Sequence, residues 1–273
     1  MASDGTQTEE IRTRDASPRL DSRVAEGGAL PSWWPGSNPY VIGDCLEIMR
    51  GLPDESVDLI LTDPPYKVSQ MYGGGVDADN LVNVASILRT IPEMARVLKP
   101  GRFAVLFYDN RILPFLFEAV KGTDLVYRRS IFLYRRWGNA NRWHGWMQCT
   151  DPICFFVKGH IEPFDPELRG DVRHDTFIKD KPESFDTGHP AQKPLQLILD
   201  IVKWCSNGGE IVLDPYLGSG IVLKAARELN RVGIGCEINP DYEDIIKKSL
   251  SFANTGLDHF APPEATVRAG RLA

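Results

Sequence analysis

The sequence predicts an α/β domain, with a mostly parallel central sheet covered by helices on both faces. Three observations predict it. Short apolar runs alternate with segments of helical periodicity along most of the chain. Near the carboxyl end a strand, a glycine-rich turn, a helix and a second strand follow one another without interruption. A chain of 273 residues with 42% hydrophobic content is also long and apolar enough for one substantial core.

The elements follow in order. Residues 57–61 (VDLIL) form a short apolar strand, ended by the two prolines of Thr62-Asp63-Pro64-Pro65-Tyr66. Helical spacing runs over 81–98 and stops at Pro100-Gly101. Residues 103–107 (FAVLF) are a buried strand, and 112–120 a helix. Two further strands, 129–134 and 153–157, are expected at the sheet edge. Pro194 sits where a helix begins, and 195–204 continue it. The strand 210–213 then runs into Asp214-Pro215-Tyr216-Leu217-Gly218-Ser219-Gly220, the helix 221–229 and the strand 232–236, which ends at Glu237.

Residues 1–30 are polar, mixed in charge and poor in aromatics, the composition of a disordered tail, and 254–273 are expected to be a second flexible tail. One folded domain, 31–253, lies between them. The net charge of −6 excludes a globally basic nucleic-acid coat, although a local basic face is enough to track phosphates. Five cysteines, odd in number and scattered, are expected to be reduced thiols of a cytoplasmic protein. No apolar run approaches a membrane span, and the amino terminus lacks the apolar region of a secretion signal.

The segment from Asp214 to Glu237 has the plan of a nucleotide site. The glycine-rich turn opens a helix, and an acid falls at the end of the next strand, where a carboxylate can hold a ribose diol. Gly218 and Gly220 let backbone approach a ligand. Asp214 would repel a pyrophosphate but can pair with an ammonium group. A ligand with an amino-acid end and an adenosine end, such as S-adenosylmethionine, therefore fits better than a dinucleotide. The plain alternative is a tight strand-to-helix turn with Glu237 as a solvated acid.

Asp63-Pro64-Pro65-Tyr66 lies just past a strand's carboxyl end, on the edge where such sheets bind ligands. The prolines stiffen the backbone and offer only carbonyl acceptors. An acid, rigid carbonyls and an aromatic ring make a receptor for a planar ring bearing an amino group. A polyproline turn with a structural tyrosine is the competing reading.

With these residues in place, the chain resembles the amino-methylating DNA methyltransferases, whose catalytic motif is D/N/S-P-P-Y. Their cofactor motif is similar to the segment Asp214 to Gly220. Gly43-Asp44-Cys45, about twenty residues before the catalytic motif, resembles their element near the cofactor's adenine. His189-Pro190-Ala191-Gln192-Lys193-Pro194 resembles the H-P-x-x-K-P element that lines the cofactor's methionine end. Catalytic motif first and cofactor motif second is the order of the permuted beta group, and the likeness covers about residues 40–250. Tyr216 departs from the usual phenylalanine, and Ile221 from the threonine that usually follows the second glycine.

The resemblance implies a Rossmann-like S-adenosylmethionine-dependent methyltransferase fold. It assigns Asp63, Pro64, Pro65 and Tyr66 to catalysis, and Asp44, Cys45, Lys193, Asp214, Pro215, Gly218, Gly220 and Glu237 to the cofactor. The target base is expected to be flipped out of duplex DNA. Aspartate at the first motif position accompanies adenine methylation more often than serine does, so N6 of adenine is the expected acceptor. N4 of cytosine, an RNA substrate, and an inactive DNA-binding protein are the alternatives. A C5-cytosine enzyme needs a Pro-Cys nucleophile, and the chain contains no Pro-Cys.

Between residues 127 and 147, Arg128, Arg129, Arg135, Arg136 and Arg142 interleave with Tyr134, Trp137, Trp143 and Trp146, without one acid. In an acidic chain, that asymmetry suggests a phosphate-tracking surface with stacking side chains, and Arg128, Arg135, Arg136, Trp137 and Arg142 are the candidate contacts. An amphipathic edge strand with solvent-facing arginines is the alternative. A small DNA-recognition insertion is expected over about 135–188. Cys149, Cys154, His144 and His160 fit no common zinc spacing, so no metal is expected. Gly73-Gly74-Gly75 reads as a mobile lid or a plain loop. A homodimer is left open.

Overall fold

The computed structural model describes residues 29–35, 38–64, 78–109, 113–136, 142–143, 146–147, 149–160, 174–179 and 193–251. The elements are β1 (Tyr40–Ile42), α1 (Cys45–Arg50), β2 (Val57–Thr62), α2 (Ala78–Val97), β3 (Leu98–Phe107) and α3 (Leu113–Val120). After them come β4 (Leu125–Arg135), β5 (Arg142–Trp143), β6 (Trp146–Met147), β7 (Thr150–Lys158) and β8 (Thr176–Lys179). The chain closes with α4 (Leu195–Cys205), β9 (Ile211–Asp214), α5 (Ile221–Glu228), β10 (Val232–Glu237) and α6 (Glu243–Ser251).

Eight strands form one sheet in the order β1-β10-β9-β2-β3-β7-β4-β8. All pairings are parallel except those of β7, which runs antiparallel to both β3 and β4. The expected mostly parallel sheet is present. Period-2 alternation sorts the core into two layers. Ile60, Ala104 and Leu106 face α1, α2 and α3 with Met49, Ile91 and Met94. Leu59, Leu61 and Val105 face α4 and α5 with Ile198, Val202 and Val222.

Two sequence expectations need correction. Residues 153–157 are not at an edge, because β7 lies between β3 and β4, and β4 is covered in turn by β8. The edge strand β8 comes from a polar stretch with no alternating pattern, and pairs Phe132 with Thr176 through Arg135 with Lys179. Further, Pro100-Gly101 ends α2 as expected yet lies inside β3. The pairing skips from Val57–Leu98 to Leu59–Phe103, so the intervening residues form an irregularity, with Gly101 at φ 75°.

The amino edge of the sheet is fastened by charge. Buried Asp58 accepts from the Lys99 ammonium at 2.7 Å and from the Ile211 N–H at 3.0 Å, and Arg102 pairs with Glu210 at 2.5 Å. A buried carboxylate with this many donors is satisfied where it stands.

Close packing fixes the middle of β10. A Cβ on Gly235 would lie 2.9 Å from Leu217 Cδ1 and 3.0 Å from the Asp214 carbonyl oxygen. Gly235→Ala should therefore destabilise the fold by about 1–3 kcal/mol and lower the melting temperature by several degrees. An unchanged melting curve would show that β9 and β10 approach less closely than described.

Candidate active site

β9 and β2 are neighbours, with Leu59 opposite Val212 and Ile60 opposite Leu213. The crossover leaving β2 passes through α2 on one face, and that leaving β9 passes through α5 on the other. The helices diverge there, and the carboxyl ends of the two strands open onto the crevice where α/β sheets bind ligands.

The seam between those strand ends is closed by one hydrogen bond. The Thr62 hydroxyl donates to Asp214 Oδ1 at 2.7 Å, and the same oxygen accepts the Tyr216 N–H at 3.1 Å. Asp214 is 2% exposed. Burial pushes its carboxyl up to about 7, the two donors work against that, and the neighbouring Asp63 and Glu237 add to it. Neither of these two partners is a cation, so among the described residues the carboxylate is solvated by dipoles.

Beyond Asp214 the chain makes the glycine turn. Gly218 and Gly220 take φ of 53° and 78°, the left-handed region that side chains disfavour, and Gly220 caps α5. Pro215 is buried within the turn. Glu237 braces the turn from β10, accepting the N–H of Gly218 at 2.8 Å and of Asn239 at 2.8 Å. Gly43 N–H donates to the Glu237 carbonyl at 2.7 Å, which brings Asp44 to the same edge. Asp44 caps α1 by accepting the Leu46 N–H at 2.8 Å, and its side chain is exposed. Cys45 turns the other way, into the core, where burial pushes its thiol up to about 11. Its thiol is an interior group, and only its backbone lies along the site.

The two departures from the family pattern have packing explanations. The Tyr216 hydroxyl, absent in phenylalanine, meets Thr90 Oγ1 at 3.2 Å and hydrogen-bonds the Cys45 thiol. Ile221, in place of threonine, packs into the apolar layer of α4 and α5.

Asp63 leaves β2 beside this seam and is half-buried, and Pro64 is buried. Lys193, just before α4, donates its ammonium to Asp63 Oδ2 and lies 5.0 Å from the centroid of the Phe107 ring, a cation–π contact. Lys193 thus stands on Asp63, 130 residues away in sequence. Pro65, Tyr66, the glycine triplet 73–75 and residues 189–192 lie outside the described residues.

Of the basic stretch, Arg128, Arg129 and Arg136 are exposed on or beside β4. Arg135 is turned inward onto Asp151 of β7 at 2.5 Å, because β4 and β7 pair across that point. Trp137 lies outside the described residues, and Arg142 is described by its backbone alone. Sequence reasoning missed Thr62, Phe107, Asp151 and Ile238. Ile238 follows Glu237 and is 71% exposed, an apolar side chain open to solvent at the ligand edge. Thr62 was readable as the residue entering the proline motif; Asp151 and Phe107 carry no local signal.

Among the described residues, no group of three His, Cys, Asp or Glu is placed to hold a metal, and no helix is long and apolar enough to cross a membrane.

Known proteins are similar to this chain in sequence and fold. The pattern of the N6/N4 DNA methylases matches residues 57–248. The DNA adenine methyltransferase YhdJ of Escherichia coli K12 is 28% identical over 244 residues, covering 78% of this chain and 82% of that protein. Among solved structures, the M1.HpyAVI complex with S-adenosylmethionine aligns with a TM-score of 0.60 at 26% identity, over 77% of this chain and 98% of that one. The cytosine-N4-specific PvuII DNA methyltransferase shares the fold, with a TM-score of 0.63 at 17% identity over 81% and 87% of the chains. The chain belongs to the amino-methylating DNA methylase family, whose members use S-adenosylmethionine.

Proposed function

We propose that this DNA methyltransferase transfers the methyl group of S-adenosylmethionine to N6 of an adenine flipped out of duplex DNA. The observation that carries the reading is the adjacency of two differently equipped strand ends. Asp63 projects from β2, and the Asp214–Gly220 turn leaves β9 beside it, joined through Thr62.

The donor set fits the cofactor. Among the described residues the buried Asp214 has two neutral donors and no cation, and an amino-acid ammonium supplies one. Glu237 holds the turn with one contact on each oxygen, which leaves acceptor capacity for ribose hydroxyls. Ile238 offers an apolar surface to a purine, and Gly218 and Gly220 keep the approach open. Asp44 stands at the adenosine end, beside the Glu237 backbone. When bound, the cofactor supplies an electrophilic methyl on a sulfonium.

The protein's own part is positioning and electrostatics. An exocyclic amine is a poor nucleophile because its lone pair is delocalised into the ring. Asp63 and the Pro64 carbonyl accept its two hydrogens, which favours a pyramidal nitrogen with its lone pair aimed along the transfer line. The carboxylate is a charge-assisted acceptor and stabilises positive charge growing on that nitrogen. Tyr66 stacks on the base, and the exposed arginines Arg128, Arg129 and Arg136 follow phosphates.

Adenine is favoured over cytosine by Asp63 at the first motif position, and by the adenine activity named for YhdJ. Mass spectrometry of nucleosides from DNA methylated by the pure protein should find N6-methyladenine. N4-methylcytosine alone would reverse the base while leaving the amino-methyltransferase reading intact.

A second test uses the buried carboxyl. Its folded value of about 7 lies above its ordinary 3.8, so its contribution to stability is greatest below about pH 4 and is lost as pH rises towards 7. Asp214→Asn should therefore melt higher than wild type at pH 8, with the gain shrinking as pH falls towards 4, while binding S-adenosylmethionine more weakly. A variant less stable than wild type at pH 8 would mean that the ionised carboxylate is structurally favourable, against this account.

A further inference from the structure

We propose that Lys193 is a displaceable counter-ion of Asp63, and that Asp151, held by Arg135, receives its ammonium when the target base enters. The proposal rests on the reading of Asp63 as acceptor of the target amine, and names how that acceptor is freed.

Four charged groups alternate in sign along the carboxyl edge of the sheet. Asp63 follows β2, Lys193 precedes α4, Asp151 opens β7 and Arg135 ends β4. Lys193 bonds Asp63, and its ammonium is steadied by the Phe107 ring at the end of β3. Asp151 lies within electrostatic reach of both Lys193 and Asp63. It arrives at this edge because β7 runs antiparallel to its neighbours, which places its amino end beside the carboxyl ends of the others. Arg135 fixes the Asp151 carboxylate at 2.5 Å and leaves its own Nε buried without a hydrogen-bond partner among the described residues. Asp151 is itself half-buried, with a side chain 19% exposed.

The chemistry requires Asp63 to change partners. A carboxylate already bonded to an ammonium is a weak acceptor for a neutral amine, because the incoming N–H must displace a charge-assisted bond. As the nitrogen–carbon bond forms and the sulfonium–methyl bond breaks, one positive charge passes to the amine nitrogen. The sulfur leaves as a neutral thioether, and the nitrogen releases one proton to Asp63. An ammonium held on Asp63 would oppose that charge and block that proton. Transfer of Lys193 to Asp151 keeps the lysine paired while Asp63 serves the base, and its return closes the cycle. Asp151 is thus a positioning residue, acting through Lys193.

The test uses the full chain, tritiated S-adenosylmethionine at saturation, and genomic DNA from a methylation-deficient bacterial strain. Asp151→Asn should raise the KM for DNA about tenfold, the effect of roughly 1.4 kcal/mol of competition, with a smaller fall in kcat. Asp151→Glu should restore much of the loss. Adding Lys193→Met to Asp151→Asn should bring the KM back towards wild type, because the competitor for Asp63 is gone, and a merely structural role for Asp151 predicts no such relief. If Asp151→Asn melts below the assay temperature, Asp151→Ser takes its place in the same comparison. A folded single variant with wild-type KM, or a double variant no better than the single, overturns the proposal. An inactive wild type would overturn the proposed function and this inference together, whereas an active wild type with no relief overturns the inference alone.

Discussion

The hydrogen bond from the Thr62 hydroxyl to the Asp214 carboxylate is the constraint on which the site depends. It closes the seam between β2 and β9, the two strands whose helices leave in opposite directions. Everything placed at the carboxyl edge is placed relative to that seam. Asp63 is the next residue after Thr62, and the glycine turn follows Asp214, so one short contact sets the spacing between Asp63 and that turn. The contact also holds a carboxylate where burial opposes its charge. A group kept ionisable at such a position is a stability cost that a packing role would not explain, and it is the kind of cost found at working sites.

The two edges of the sheet use charge differently. At the amino edge, Asp58, Lys99, Arg102 and Glu210 form a closed set that ties β2, β3 and β9 together, and each acid has its base. At the carboxyl edge, Asp63 and Glu237 stand near the buried Asp214 and add to the cost of its charge. The first arrangement is finished without a ligand. In the proposed mechanism the second is completed by cations that come and go, namely Lys193 and the charged end of the cofactor.

Much of this was legible in the sequence, and the reason is local. The Asp214 to Glu237 unit is contiguous, so its strand, turn, helix and acid are read from neighbouring residues. The proline motif announces itself because two prolines end a strand wherever they fall. What the sequence hid depends on pairing over long separations. Nothing in residues 153–157 says that β4 will pair on the far side of β7 and make it an interior strand, or that the four residues Thr176–Lys179, set in a polar stretch, will add β8 beyond β4. Arg135 looked like one more arginine of a basic stretch until β7 brought Asp151 across from it. Lys193 was read from its motif as a cofactor residue, and only the fold puts its ammonium on Asp63. Cys45 shows the same limit on a smaller scale, because a helix start fixes where the backbone goes but not which way the first side chain turns.

The central claim is a division of labour between adjacent strand ends: β9 and β10 hold the cofactor, and β2 presents the acceptor for the amine. Calorimetric titration of Asp63→Ala with S-adenosylmethionine, set beside wild type and Asp214→Ala, tests it most directly. The account predicts that Asp63→Ala binds the cofactor within a few-fold of wild type even though it transfers no methyl, whereas Asp214→Ala binds clearly more weakly. Equal loss of cofactor affinity in the two variants would contradict the account, because both acids would then belong to the cofactor.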